Sequence, residues 1–253
     1  MLEFLFLLAL VFLIAVLFYK QRRPTMEILQ AEEAQIEQLP DLLEEQQPLI
    51  IRGISPPKGL TKESLAKIPR LAQFAVGGQP LEDILKTPGI LSSANGVPVL
   101  SRERRELLAS ELSIKVWGEH VWLPRFSQTT WTGWLVGCIC TEVSLGGMGM
   151  WKTSAKYTSI MPTEGVYTIS ILSRESETFL PEKWQYRYPG SLSPNDTPLV
   201  ADLKYMDIIV RPGTMICFPP HTIISMQPND TEFAAAVIME YHEPVSLLAK
   251  SFS

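Results

Sequence analysis

The sequence predicts a mainly β protein with a helical N-terminal part, its strands closed into a barrel or two packed sheets, behind a single transmembrane helix. Three observations carry this prediction. From Ile114 onward, short runs rich in β-branched and aromatic residues are separated by Gly and Pro turns, the texture of a sandwich or closed barrel. Before that point, capping residues and mixed-charge stretches indicate helices. Near the N-terminus, residues 4–19 carry no charged side chain.

In chain order, residues 4–19 with Met1 and Leu2 make a helix of roughly 25–28 Å, enough for a bilayer core. A cleaved leader should have a basic start and a small-residue cleavage site, but this chain opens Met1-Leu2-Glu3. A buried core helix should show a polar stripe, and there is none. Lys20, Arg22 and Arg23 follow the span and only Glu3 precedes it. That asymmetry places the rest of the chain on the cytosolic side, or on the matrix or stromal side of an organelle inner membrane. Asn195 and Asn229 each open an Asn-Asp-Thr triplet, a glycosylation pattern that would suit a lumenal domain. The basic flank outweighs them.

The expected organisation is an anchor with its basic flank at 1–23, a helical stalk at 24–47 and one domain at 48–253. Residues 25–39 read as a polar, acidic helix with a thin apolar face of Met26, Ile28, Leu29, Ile36 and Leu39. Residues 48–53, Pro-Leu-Ile-Ile-Arg-Gly, read as a first strand. Thr61 is a good N-cap for a helix over 62–68, Pro80 fits the first turn of 81–85, and Ser101 can cap 102–112. Strands are expected at 116–117, 121–123, 131–140, 157–161, 166–172, 206–210, 215–218, 222–226 and 233–241.

The organising stretch is 210–225. Pro212 fixes φ and Gly213 permits positive φ, so 211–214 should turn. Residues 215–218 are continuously apolar, as in a strand buried on both faces, with Ile216 and Phe218 toward the interior. Pro219-Pro220 then ends the ladder.

Composition excludes some functions. A net charge of −5 without a basic patch argues against nucleic acid. Cys138, Cys140 and Cys217 lie in apolar runs and read as small core residues, an odd count that does not suggest a disulfide framework.

The phrase Pro48 to Gly53 and the late Gly213, apolar strand and Pro219 resemble JmjC-like cupins of the Fe(II)/2-oxoglutarate hydroxylase type. The resemblance covers roughly residues 48–241 and implies a double-stranded β-helix (cupin or jelly-roll) fold. Its metal motif, His-x-Asp/Glu plus a later His, falls by counting on Lys152, Ser154 and Ile224. Tyr167 or Thr168 stands where the family has its cosubstrate-binding basic residue. Lys152 is a cation, Ser154 a poor ligand and Ile224 none, so the resemblance implies a degenerate site with no metal and no cofactor.

Of the three histidines, His120, His221 and His242, none opens a His-x-Asp or His-x-Glu motif; His221 reads as a solvated turn residue and His242 as a surface strand end. Gly146 to Thr153 imitates a phosphate loop, but Trp151 stands where the second glycine must be, so a Gly-rich turn with a packed Trp is expected. Cys138-Ile139-Cys140 lacks partners for zinc. Trp117, Trp122, Trp131 and Trp134 read as packing. Trp184, Tyr186, Arg187 and Tyr188 are the candidate docking residues, because Trp, Tyr and Arg anchor interfaces.

The expected function is that of a non-catalytic, membrane-anchored accessory subunit. It would assemble with the lipid bilayer and other protein subunits of a respiratory, photosynthetic or viral membrane complex. An Fe(II)/2-oxoglutarate-dependent hydroxylase with atypical ligands and a small-ligand-binding cupin are the alternatives.

Overall fold

The computed structural model describes residues 2–21, 27–67, 75–76, 79–86, 96–128, 137–229 and 233–251. Its described helices are α1 (Leu2–Gln21), α2 (Leu39–Glu44), α3 (Lys62–Ala66), α4 (Leu81–Lys86), α5 (Arg102–Glu111), α6 (Ile114–Trp117), α7 (Leu123–Ser127) and α8 (Pro244–Ser251). The strands run β1 (Leu29–Glu32), β2 (Leu49–Arg52), β3 (Ala75–Val76), β4 (Gln79–Pro80), β5 (Cys138–Leu145), β6 (Met148–Lys152) and β7 (Tyr157–Glu164). They continue with β8 (Tyr167–Leu172), β9 (Tyr205–Val210), β10 (Thr214–Phe218), β11 (Ile223–Pro228) and β12 (Ala235–His242).

Two sheets form the body. One has the order β1-β2-β10-β7-β12-β5 and the other β6-β11-β8-β9. From β5 to β12 the chain changes sheet at every connection except β8 to β9. That strand order is a jelly roll, the double-stranded β-helix that cupins also use.

Strand β10 shows why the sequence there is apolar throughout. Ile216 and Phe218 project between the sheets with Ile50, Ile160, Ile224, Met226 and Ile238. Met215 and Cys217 project the other way, into a second core shared with Leu43, Leu108, Trp122 and Phe126 of the flanking helices. A strand covered on both faces has no polar alternation to show. Gly213 has φ +88 and Thr214 N donates to Arg211 O at 3.1 Å, the turn expected there.

The helix expected over 25–39 is not formed over its described residues, 27–39. Leu29–Glu32 is β1, pairing parallel with β2, and a 3-10 segment and α2 follow. Ala31, Leu39 and Leu43 are buried in the core behind the sheet, so tertiary pairing overrides the helical composition and the segment packs on the domain rather than lifting it. The strands expected at 116–117 and 121–123 are helical as well. Trp122 and Phe126, one helical turn apart, stack toward Tyr157 and Tyr241. Arg22, Arg23, Trp131 and Trp134 lie outside the described residues. Thr61 caps α3 as expected, accepting from Ser64 N at 3.2 Å.

Among the described residues no helix is long and apolar enough to cross a membrane; within α1, side chains are described for residues 3–18. In that stretch Phe4, Phe6 and Phe18 are each about two-thirds exposed or more, at 68%, 72% and 68%.

Candidate functional site

The two sheets part where edge strand β5 meets edge strand β6, joined by the turn at Gly146-Gly147. Strand β6 carries a β-bulge. Ile224 pairs with Trp151 and Met226 with Met148, so β6 uses one residue more than β11 over the same length. Met148 and Trp151 therefore turn toward the interior and pack there with Ile224 and Met226. Met150 turns outward, against Leu172, Leu192 and Ile223.

The bulge moves the degenerate triad. Lys152 pairs with Ile223, on the outer face, and its Nζ lies 2.6 Å from Glu177 Oε1. Ser154 lies in the loop past β6, half-buried. Ile224 alone of the three faces the interior, fully buried. The residue two positions on from Trp151 is Thr153, whose hydroxyl donates to Pro219 O at 2.8 Å and accepts from Thr222 N. These donors do not fit Fe(II): an indole, a hydroxyl already engaged and an alkyl chain cannot supply two imidazoles and a carboxylate. Among the described residues no group of three His, Cys, Asp or Glu could hold a metal ion.

Beside Trp151 lies a cavity of about 300 Å³. Its apolar walls include Met148, Trp151, Tyr186 and Ile238, and its polar wall is built by Arg102, Arg105, Glu142 and Glu240. Arg102 and Arg105 are one turn apart on α5, while Glu142 and Glu240 rise from β5 and β12. Arg105 grips Glu142 Oε2 through Nε at 2.9 Å and Nη2 at 2.8 Å. Arg102 reaches Glu142 Oε1 at 2.9 Å, Glu240 Oε2 at 2.6 Å and Glu106 Oε1 at 3.1 Å. Burial pushes the Glu142 carboxyl above the usual carboxylate range, against the pull of Arg105 and Arg102. For Arg102 burial acts downward, but Glu240 and Glu142 outweigh it and raise the guanidinium. The arrangement is a neutralised charge cluster that can orient a polar ligand.

Sequence reading missed this cluster. Its signal was present: Glu142 and Glu240 are lone carboxylates inside apolar strand runs, facing a helix with arginines three apart.

Of the docking candidates Tyr188 is buried, Trp184 and Arg187 are half-buried and Tyr186 is exposed. Tyr186 N donates to Met150 O at 2.9 Å and Met150 N to Arg187 O at 2.7 Å, so this segment straps the free edge of β6. Trp184 is half-buried and Tyr188 buried, its phenol pushed up to about 12 by burial. Arg187 forms a two-bond pair with Asp196 at 2.5 and 3.0 Å. Tyr186 is 42% exposed with φ +60 and lines the cavity.

His242 is not a surface residue. It is 1% exposed because β12 continues to pair with Cys138, and its Nε2 lies 3.5 Å from Glu240 Oε2. His120 is exposed, and His221 sits in the turn at φ +65 with N donating to Thr153 O. Cys217 is buried, Cys140 intermediate and Cys138 exposed, which corrects the reading of all three as core; all are free. Burial raises each thiol, so none is activated as a nucleophile. Gly146 is the expected turn, but Met148–Lys152 is a strand.

No family model matches the chain, and no curated protein does. Solved structures similar to it include hydroquinone 1,2-dioxygenase from Sphingomonas sp. TTNP3 with 4-hydroxybenzoate bound, at 14% identity and TM-score 0.28, over 44% of this chain and 62% of that one. Peruvianin-I, a cysteine peptidase from Thevetia peruviana latex, is similar at 17% identity and TM-score 0.26, over 42% of this chain and 50% of that one. Lactobacillus farciminis oxalate decarboxylase is similar at 7% identity and TM-score 0.27, over 44% of this chain and 28% of that one. The chain covers less than two thirds of each. At such scores the strand order itself, rather than any of these likenesses, establishes the jelly roll.

Proposed function

We propose that the chain is a non-catalytic, membrane-anchored accessory subunit: a degenerate JmjC-like jelly roll with a structural role in a larger membrane-associated complex. The observation that carries the non-catalytic part is the Trp151–Ile224 pairing in the sandwich interior. Side chains without metal-binding lone pairs take the positions from which a facial triad would project. The anchor reading rests on α1, whose residues 4–18 are apolar on every side and largely exposed. A helix with no polar stripe and this much exposed apolar surface is stable only when lipid or another protein covers that surface. The basic residues Lys20, Arg22 and Arg23 put the domain on the cytosolic, matrix or stromal side.

The test is alkaline extraction of membranes that contain the full chain, followed by protease treatment of sealed vesicles. The full chain should stay in the membrane, and its domain should be protected in vesicles that enclose the cytosolic face and digested in vesicles that turn that face outward. Release by alkali, or glycosylation at Asn195 or Asn229, would overturn the anchor or its orientation.

The cavity favours a second reading, a small-ligand-binding jelly roll. Arg105 is buried, yet its Nη1 donates to the Met148 sulfur at 3.6 Å, a weak acceptor that a ligand oxygen would better. Native mass spectrometry of the intact chain should reveal a retained small molecule on this reading and none on the first.

A further inference from the structure

We infer that β9 is an interface strand: a second copy of this chain pairs with it antiparallel, about a two-fold axis through Ile209, and continues the sheet across both molecules.

Strand β9 ends the sheet β6-β11-β8-β9 and pairs with β8 alone, Asp207 across from Ser170 and Ile209 across from Thr168. Ser173 N donates to Lys204 O at 2.9 Å, and on the other side of β8 Asn229 N donates to Val166 O at 2.8 Å. Both bonds set the same phase. Backbone groups alternate sides along an antiparallel ladder, so Met206, Ile208 and Val210 turn theirs to β8. Tyr205, Asp207 and Ile209 turn theirs to the open edge. The side chains alternate as well. Ile208 and Val210 pack in the core between the sheets. Tyr205 and Ile209 stand 42% and 63% exposed, with Asp207 and Arg211 exposed beside them.

The opposite edge of this sheet is covered, because Tyr186 and Arg187 strap β6 through Met150. At one end of the other sheet, β1 is four residues long, with Glu27, Glu32 and Glu33 in and around it. A short strand among like charges repels its own copy. Strand β9 has neither protection.

Its charges select the occupant. Asp207 and Arg211 lie on either side of Ile209, two positions away in each direction. With Ile209 on the axis, Asp207 of each copy stands across from Arg211 of the other, and Ile209 stands across from itself. An axis at Asp207 would set carboxylate against carboxylate, and one at Ile208 would set Asp207 against Ile209. Pro212 falls where the backbone faces away from the new strand, so its missing N–H costs nothing. The edge is therefore self-complementary, as a two-fold contact must be.

Sedimentation equilibrium of the full chain in density-matched detergent tests this. The wild-type chain should dimerise. Asp207→Lys or Arg211→Glu alone puts like charges across both pairs and should weaken dimerisation by roughly tenfold. The two together restore opposite charges and should recover most of the association. A monomeric wild-type chain, a dimer indifferent to the single reversals, or a double reversal no better than the singles would overturn the proposal. Oxidative cross-linking in membranes of the producing cells provides a second measurement, using Ile209→Cys in a chain with Cys138→Ser and Cys140→Ser. On the axis the two residues 209 have Cα atoms about 5.5 Å apart, which a disulfide spans, so a covalent dimer should form. Tyr205→Cys in the same background should give none, since its two copies lie about 27 Å apart along the ladder. No dimer at 209, equal cross-linking at 205, or capture of a different protein at 209 contradicts the self-pairing.

Discussion

Ile224 stands across the ladder from Trp151, and Lys152 stands across from Ile223. One bulge residue in β6 decides which of these pairs looks into the sandwich. Because the pleat alternates with every residue, it puts an indole and an alkyl chain inside and sends the ammonium to Glu177 outside.

Ile224→Ala should destabilise the fold by about 2–5 kcal/mol, and Phe218→Ala by about 3–5 kcal/mol, since both side chains are fully buried. Equilibrium denaturation of the full chain in detergent measures this. A loss near zero at Phe218 would mean that β10 is not the covered strand described.

The bulge also explains what could and could not be read in advance. Gly213, Thr61 and the unbroken apolar run of β10 each signal through local chemistry, so the turn, the cap and the buried strand were legible. A bulge has no comparable mark: nothing in Met148-Gly149-Met150-Trp151 says which residue is the extra one. The assignment of Lys152 to the interior slipped by one position for that reason. Trp117 and Trp122 failed differently, because aromatic side chains suit a strand and a helix-packed core equally well. Leu29–Glu32 became a strand only because β2 was available to pair with it. The charge cluster was the least legible, since Arg102 and Glu240 meet across 138 positions of sequence.

Removing Arg105 tests that cluster. Arg105→Leu leaves Glu142 buried with less compensation and should cost about 3–5 kcal/mol at neutral pH, whereas Arg105→Leu with Glu142→Leu should cost much less. Burial holds the folded Glu142 value above the unfolded one. Its titration therefore favours the fold below the unfolded carboxylate value of about 4.3, and that contribution is lost as pH rises through the folded value. Glu142→Gln should remove this segment of the stability–pH curve; an unchanged curve would contradict the assignment.

At the surface the sign reverses. The hydrogen bond from Arg187, with help from Ser193, holds the Asp196 carboxyl well below its usual range. Its contribution is present above the unfolded value of about 3.9 and is lost as pH falls through the folded one. Carbon-detected NMR titration should find the Asp196 midpoint depressed, and Arg187→Ala should bring it back toward the ordinary value. A midpoint that ignores Arg187 would refute the pair.

Gly149→Ala should loosen the strap on β6. A Cβ there would come 2.2 Å from the Tyr186 carbonyl carbon and oxygen, and backbone cannot yield as a side chain can. Overpacking of this kind costs roughly 1–3 kcal/mol. Faster amide exchange at Met150 and Tyr186, with the second sheet otherwise intact, is the expected signature; unchanged exchange would show that the strap is not held there.

The most direct test of the central claim is anaerobic Fe(II) titration of the purified full chain, read by equilibrium dialysis and metal analysis. The account predicts no saturable site in the wild-type protein. It further predicts that Trp151→His with Thr153→Asp and Ile224→His introduces one, while Lys152→His with Ser154→Asp and Ile224→His does not, because Trp151 and Ile224 face inward together whereas Lys152 faces outward. One equivalent of tightly bound iron in the wild-type chain, accompanied by 2-oxoglutarate consumption, would contradict the account.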